Sequence, residues 1–231
     1  MNALLAIFVR MTLIALLATG LAWSQTGTVA TGDFDGCPVT GSGGGDPTLN
    51  TQKNRSGNPT QVTNQVSVAD LKALQTVPQS DGTTRSNWPT DVEASIENQE
   101  EYSAIFTGYI IKAIAEGKES CNCESLAARD HDVHVYVSDT RRGRSVANAA
   151  IVEVTPRWRA VYPSWNAQNL QALATSHTRV RVTGWLLYDQ EHWNMIQKRQ
   201  RGTLWEIHPV TRIQVWDNGA WTELADYEQQ Q

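Results

Sequence analysis

Five segments between residues 104 and 216 are rich in β-branched and aromatic residues, and a helical segment separates the third from the fourth. Such runs predict β-strands. In the intervening "SWNAQNLQALATS", Trp165, Leu170, Leu173 and Ala174 fit a short helix, with Ser164 as its expected N-cap. The strand segments are "AIFTGYIIKAIAEG", "DVHVYVSD", "NAAIVEVTP", "TRVRVTGWLLYD" and "RGTLWEIHPVTRIQVW".

The first of these segments could form a helix or a strand on the spacing of its apolar residues alone. Its interior glycine, Gly108, lies among β-branched and aromatic residues. An interior glycine in that setting suits a sharply bent barrel strand. We therefore predict a strand here, which makes five strands in all.

The order of three strands, a helix and two strands over residues 102–216 resembles the OB-fold, a small Greek-key barrel. The predicted fold class is mainly β: a five-stranded OB-like barrel with a helix between strands three and four. This resemblance covers about half of the chain and implies an architecture without an activity. The motifs "ESCNC", "VEVTPR", "VTGWLLYDQEH" and "LWEIHPVT" also resemble a group of exported bacterial proteins of unknown function, which supplies no activity to carry over.

The N-terminal part of the chain indicates export. Residues 1–24 have the pattern of a signal peptide, because Arg10 precedes the apolar run "MTLIALLATGLAW", and Ala22 and Ser24 suit cleavage before Gln25. A retained membrane anchor is the alternative, although the run is short for a bilayer span. We expect a periplasmic or secreted protein with no other membrane span. Residues 25–101 should be mostly irregular with short helices such as "SVADLKAL", and residues 217–231 a C-terminal tail.

The chain has three cysteines, Cys37, Cys121 and Cys123, so one thiol stays unpaired if one disulfide forms. In an oxidising compartment one pair can bridge. The spacing of Cys121 and Cys123 is poor for a bridge between them, and no second Cys or His pair nearby indicates a structural zinc. We predict a disulfide from Cys37 to either Cys121 or Cys123.

The predicted barrel is basic although the whole chain carries a net charge of −5. Between Tyr102 and Trp216 there are 14 Lys and Arg residues against 10 Asp and Glu residues. OB-folds usually bind ligands across the second and third strands, where basic residues follow phosphates and aromatic faces stack on bases or sugars. The predicted binding residues are Tyr136, Arg141, Arg142, Arg144, Arg157, Trp158, Trp193, Lys198, Arg199 and Arg201.

These residues predict a non-catalytic ligand-binding or interaction protein of the cell envelope, with no cofactor. Its ligand would be an anionic polymer, an oligosaccharide or another protein; export makes an oligonucleotide a less natural partner. The surface requires Tyr136, Trp158 and Trp193 to be exposed for stacking. The alternative is that the loops are simply solvated and several of the tryptophans belong to the core.

A strip of polar residues should also cross the wall of the barrel. Strand alternation places His134, Glu153, Glu206 and His208 on the outward face of three neighbouring strands, and the loop "YDQEHW" brings His192 near one end. An alternative function follows: a metal-dependent hydrolase in which His134, His192, Glu206 and His208 hold a divalent metal such as zinc. No HExxH motif supports this hypothesis.

The other interpretation of the strip is structural. His134 would hydrogen-bond Glu153, and Glu206 and His208 would pair with arginines such as Arg157 or Arg212. Cross-strand pairs of this kind fix strand register and contribute about 0.2–1 kcal/mol each. The two interpretations differ in whether the side chains converge on one point.

Overall fold

The computed structural model describes residues 28–59, 61–82, 84–142 and 145–228. The predicted signal peptide, residues 1–24, lies outside these ranges. The strands are β1 (Gln61–Val66), β2 (Tyr102–Ala115), β3 (Val133–Ser138), β4 (Ala150–Val154), β5 (Arg179–Tyr188), β6 (Trp205–Asp217) and β7 (Ala220–Glu223). The α-helices are α1 (Pro47–Lys53), α2 (Val68–Ala73), α3 (Thr90–Glu100), α4 (Pro156–Val161), α5 (Ala167–Ser176), α6 (Trp193–Gln197) and α7 (Leu224–Glu228).

Five strands close into the predicted OB-like barrel. Their order is β2–β3–β4–β6–β5, and β5 closes the barrel by pairing with β2. The β4–β6 pair is parallel, and the other pairs of the barrel are antiparallel. Strand β4 therefore lies between β3 and β6, as the sequence predicts. The predicted helix is α5, whose N-cap is Asn166 instead of Ser164, because the Asn166 side chain accepts a hydrogen bond from the Asn169 amide.

The interior of the barrel is filled by the apolar residues that alternation assigns to it. Val133, Val135 and Val137 of β3 are at most 2% exposed and pack with Val152 of β4 and Ile207 of β6. Fully buried side chains of this kind each contribute about 1.5–3 kcal/mol to folding. The core thus fixes which face of each strand points outward.

The chain before the barrel is more ordered than its composition suggests. It forms α1 and α3, and β1 pairs in parallel with the start of β2. A disulfide joins Cys37 to Cys123, which confirms one of the two predicted pairings and leaves Cys121 as a buried free thiol. Within the residues described, no helix combines the length and the apolar character that crossing a membrane requires.

A buried ion pair also fastens this N-terminal segment to the barrel. Both terminal nitrogens of Arg85 lie 2.6 Å from the carboxylate oxygens of Glu100. The same pair bonds to the end of β5, since Arg85 donates to the Tyr188 carbonyl oxygen and the Tyr188 amide donates to Glu100. A bidentate pair of this kind specifies geometry as well as charge. The N-terminal segment is therefore an integral layer of the domain.

Two glycines lie where barrel strands approach one another too closely for a side chain. A Cβ on Gly108 would lie 2.2 Å from the Ser138 carbonyl oxygen, and one on Gly184 would lie 2.3 Å from the Pro209 carbonyl oxygen. Gly108 thus has the role that the sequence predicts for it.

We expect Gly184→Ala to lower the free energy of unfolding by about 1–3 kcal/mol, because overpacking forces backbone shifts. Chemical denaturation measures the change. The matched control is Gly117→Ala, since a Cβ on the exposed Gly117 meets no atom within 4 Å. Equal stability of the two variants would contradict the close approach of β5 and β6.

Candidate functional site

Five ionisable side chains lie close together on the outer side of β3, β4 and β6. The strand register places His134 opposite Glu153, and Glu206 beside Ile151 of β4. Each of the five is at most 2% exposed. The sequence therefore predicts the alignment of His134, Glu153, Glu206 and His208 correctly, and the face that carries them is buried. We call this set the wall cluster: Asp132, His134, Glu153, Glu206 and His208.

Three parts of the chain cover the wall cluster: the end of α1, the segment before β3 and the segment after β5. Lys53, the last residue of α1, is 2% exposed and places Nζ 2.8 Å from Asp189 Oδ2 and 4.0 Å from Glu119 Oε1. Asp189 Oδ2 also lies 2.9 Å from His192 Nδ1. Burial opposes ionisation of Asp189, but His192 and Lys53 outweigh it and hold its pKa well below the usual range. Lys53 and Asp189 thus form a buried ion pair over the cluster.

Each of the two histidines of the wall cluster has a carboxylate at Nδ1. His134 Nδ1 lies 3.0 Å from Glu116 Oε1, and His208 Nδ1 hydrogen-bonds Glu206 Oε1 at 3.2 Å. In metal sites, a carboxylate at one ring nitrogen orients the imidazole and leaves the other nitrogen as the ligand. His134 Nε2 accordingly faces Glu153, whereas His208 Nε2 faces Asp132 and its Nδ1 also lies 3.0 Å from Glu153 Oε2.

The inward-facing atoms of the wall cluster are close together but are not hydrogen-bonded. His134 Nε2 lies 2.8 Å from Glu153 Oε1, and His208 Nε2 lies 3.4 Å from Asp132 Oδ2. Among the residues described, these four atoms and Glu153 Oε2 have no partner in hydrogen-bond geometry. A buried polar atom left without a hydrogen bond costs about 1–3 kcal/mol. Several such atoms at one place point to a shared partner.

The spacing of three of these side chains suits a metal ion as that partner. Ligand atoms of Asp132, Glu153 and His208 all lie within 4.8 Å of one another. A second group, Glu119, His134 and Glu153, meets the same distance and shares Glu153 with the first. Imidazole nitrogen and carboxylate oxygen are the ligands that zinc and similar divalent ions accept.

The charges of the cluster also favour a cation. Among the described residues, the ion-pair partners of Asp132 and Glu153 are His134 and His208 alone. Burial alone would lower the pKa of both imidazoles, but the negative charge of Glu153 outweighs the effect of burial. The pKa of His208 therefore rises to about 10, and the pKa of His134 lies well above its ordinary value. Burial also raises the pKa of Glu119 to about 8. Without a metal, protons therefore supply the positive charge that a metal ion would bring.

The predicted metal residues are only partly brought together. His134 and His208 flank Glu153 on opposite sides. Glu206 is occupied elsewhere, because its Oε2 lies 2.6 Å from Arg201 Nη2 and its Oε1 accepts from His208. His192 pairs with Asp189, and its ring centroid is 5.8 Å from that of His134.

Glu153 is predicted from the sequence only as a hydrogen-bond partner of His134, and Asp132 and Glu119 are not among the predicted ligands. A signal for the first two exists, because Glu153 interrupts an apolar strand and Asp132 stands two residues before His134 on the same face. Glu119 lies in an irregular segment before the turn Ser120–Asn122 and carries no periodic signal.

The predicted ligand-binding residues fall into two groups. Arg141, Arg142, Lys198 and Arg199 are exposed and Trp193 is half-buried, whereas Arg144 lies outside the described residues. The remaining four, Tyr136, Arg157, Trp158 and Arg201, are at most 5% exposed.

The expected exposure of the two buried aromatic rings is wrong for local reasons. Trp158 stacks against Trp165 with ring centroids 6.2 Å apart, and Tyr136 packs with Ala149 and Ile151. The two buried arginines are also occupied: Arg157 donates to Asn54 and to N-terminal carbonyl groups, and Arg201 pairs with Glu206. Tyr136 is thus buried by the barrel itself, whereas Trp158 and Arg157 also donate to the N-terminal segment, at the Arg55 and Ala30 carbonyl oxygens.

Comparisons with models of protein families, with curated proteins and with solved structures find no match to this chain. The geometry and chemistry of the wall cluster are therefore the basis for a functional hypothesis.

We expect Lys53→Met to lower the free energy of unfolding by about 3 kcal/mol, because it leaves the buried Asp189 carboxylate without its lysine. Urea denaturation followed by tryptophan fluorescence measures the loss. Lys72→Met is the matched control, since the Lys72 side chain is exposed and its only described bond is a 3.5 Å contact with Asn148. Equal losses in the two variants would contradict the buried ion pair.

Proposed function

We propose that this protein binds a divalent transition-metal ion in the wall of its barrel, without catalysis. The ligands come from Asp132, Glu153 and His208, whose ligand atoms all lie within 4.8 Å of one another, whereas His134 lies against the other oxygen of Glu153. The observation that supports this most strongly is that Asp132 Oδ2, His208 Nε2 and both carboxylate oxygens of Glu153 are buried close together without a hydrogen bond among the described residues. A metal ion would satisfy them at ligand distances of about 2.0–2.2 Å.

A purely structural hydrogen-bond ladder explains the cluster less well. In such a ladder, His134 would donate to Glu153 along the N–H direction, and each buried oxygen would accept at least one bond. The pair is separated by only 2.8 Å, yet neither atom meets hydrogen-bond geometry. The two atoms therefore face each other without an aligned N–H···O hydrogen bond.

Burial of the site supports binding over hydrolysis. A hydrolytic metal site keeps a coordination position open and faces a cleft that admits substrate. Here the side chains of Asp132, His134, Glu153 and His208 are at most 3% exposed. Glu206, which could act as a general base in a hydrolase, is held by Arg201. Retention of a metal ion, for stability or storage, fits this enclosure better than turnover.

The cellular setting stays part of the proposal. The Cys37–Cys123 disulfide supports a periplasmic or secreted location, because disulfides persist mainly in oxidising compartments. An envelope ligand on the exposed Arg141, Arg142, Lys198 and Arg199 also stays a prediction.

We expect the purified protein, after removal of metal with EDTA and addition of zinc, to retain near-stoichiometric zinc through gel filtration. At a free zinc concentration 100 times the Kd, binding adds about 2.7 kcal/mol to the free energy of unfolding. Elemental analysis and thermal denaturation measure the two effects.

Glu153→Gln should abolish both effects. The substitution removes the one carboxylate that belongs both to the group containing His134 and to the group containing His208. Glu97→Gln, at an exposed position of α3, is the matched control and should retain zinc. A wild-type protein that neither retains zinc nor gains stability from it would overturn the proposal. Equal zinc content in the two variants would also overturn it.

A further inference from the structure

The unpaired cysteine lies between the wall cluster and a cavity. Cys121 is 3% exposed and belongs to the turn Ser120–Asn122. The cavity beside it has a volume of about 230 Å³, and Cys121, Asn122, Asp130, Arg157 and the Cys37–Cys123 disulfide contribute to its lining. The free thiol is thus placed where a small ion could reach it from outside.

Two carboxylates meet this thiol on the side of the barrel. Ligand atoms of Glu119, Cys121 and Asp132 all lie within 4.8 Å of one another. Asp132 is fully buried, and its Oδ2 has no hydrogen bond within the part of the chain described. Glu119 Oε2 is likewise buried without a hydrogen bond to any described residue. The unpaired oxygen of Glu119, together with that of Asp132, which faces both groups, indicates that this group can accept a cation.

Asp132 also connects this group to the wall cluster. Its Oδ1 accepts a hydrogen bond of 3.0 Å from Asn122 Nδ2, and its Oδ2 lies 3.4 Å from His208 Nε2. Asp132 therefore lies between Cys121, which lines the cavity, and His208 of the wall cluster. The two groups differ chemically, since a thiolate is a soft ligand whereas the wall cluster offers only nitrogen and oxygen.

We propose that Glu119, Cys121 and Asp132 form a second metal position at the inner side of the cavity, by which a divalent ion reaches the wall cluster. This inference rests on the proposed function, because it supplies the ion for that site. Binding forms a bond between the metal and Cys121 Sγ and releases the thiol proton to solvent, as coordination of a thiol requires.

Cadmium is the probe for this position, because its thiolate complexes absorb in the ultraviolet. The full-length protein with its disulfide intact contains one thiol, so any thiolate-to-cadmium band reports Cys121. After EDTA treatment, titration with Cd²⁺ should bind two equivalents, with the band developing for one of them. Cys121→Ser should lose the band and one equivalent. Glu153→Gln should keep the band and lose the other equivalent.

The outcomes separate this inference from the proposed function. One equivalent of cadmium without a thiolate band would overturn the second position and leave the wall site standing. No bound cadmium would overturn both. A band that persists in Cys121→Ser would contradict the assignment of the ligand. If that variant fails to fold, Cys121→Ala replaces it, and the stoichiometry and band of the wild-type protein still decide the matter.

Discussion

The arrangement of side chains on the outer side of the barrel depends on how the buried negative charge of Glu153 is neutralised. This carboxylate is fully buried in the middle of β4, a strand with both faces covered. An ionised carboxylate at such a place is tolerated only with cationic or metal partners. His134 and His208, from the strands on either side, supply them at 2.8 Å and 3.0 Å from its two oxygens. The parallel pairing of β4 with β6 makes this arrangement geometrically available.

The N-terminal segment converts the outer face of the barrel into an interior layer. The Cys37–Cys123 disulfide and the Arg85–Glu100 pair hold the segment in place, and Lys53 reaches the edge of the wall cluster. Removing water lowers the local dielectric, which strengthens ion pairing and makes every unpaired polar atom costly. The same enclosure that stabilises the fold therefore favours an ion at the unpaired atoms of the cluster.

Alternation and element order predict the barrel, the position of α5 and the common face of His134, Glu153 and His208. They cannot predict burial of that face, because Lys53 and Glu119 come from segments without periodicity. The same covering explains why the predicted exposure of Trp158 is wrong. The disulfide and the buried ion pairs determine where the N-terminal segment packs on the barrel, and the alternation of residues along a strand carries no information about them.

Anomalous X-ray diffraction from crystals grown with zinc tests the central claim most directly. We expect a peak at the zinc absorption edge within about 2.0–2.2 Å of Glu153 and of at least one of His134 and His208. Peaks confined to the protein surface, with His134 and Glu153 instead joined by an aligned hydrogen bond, would contradict it.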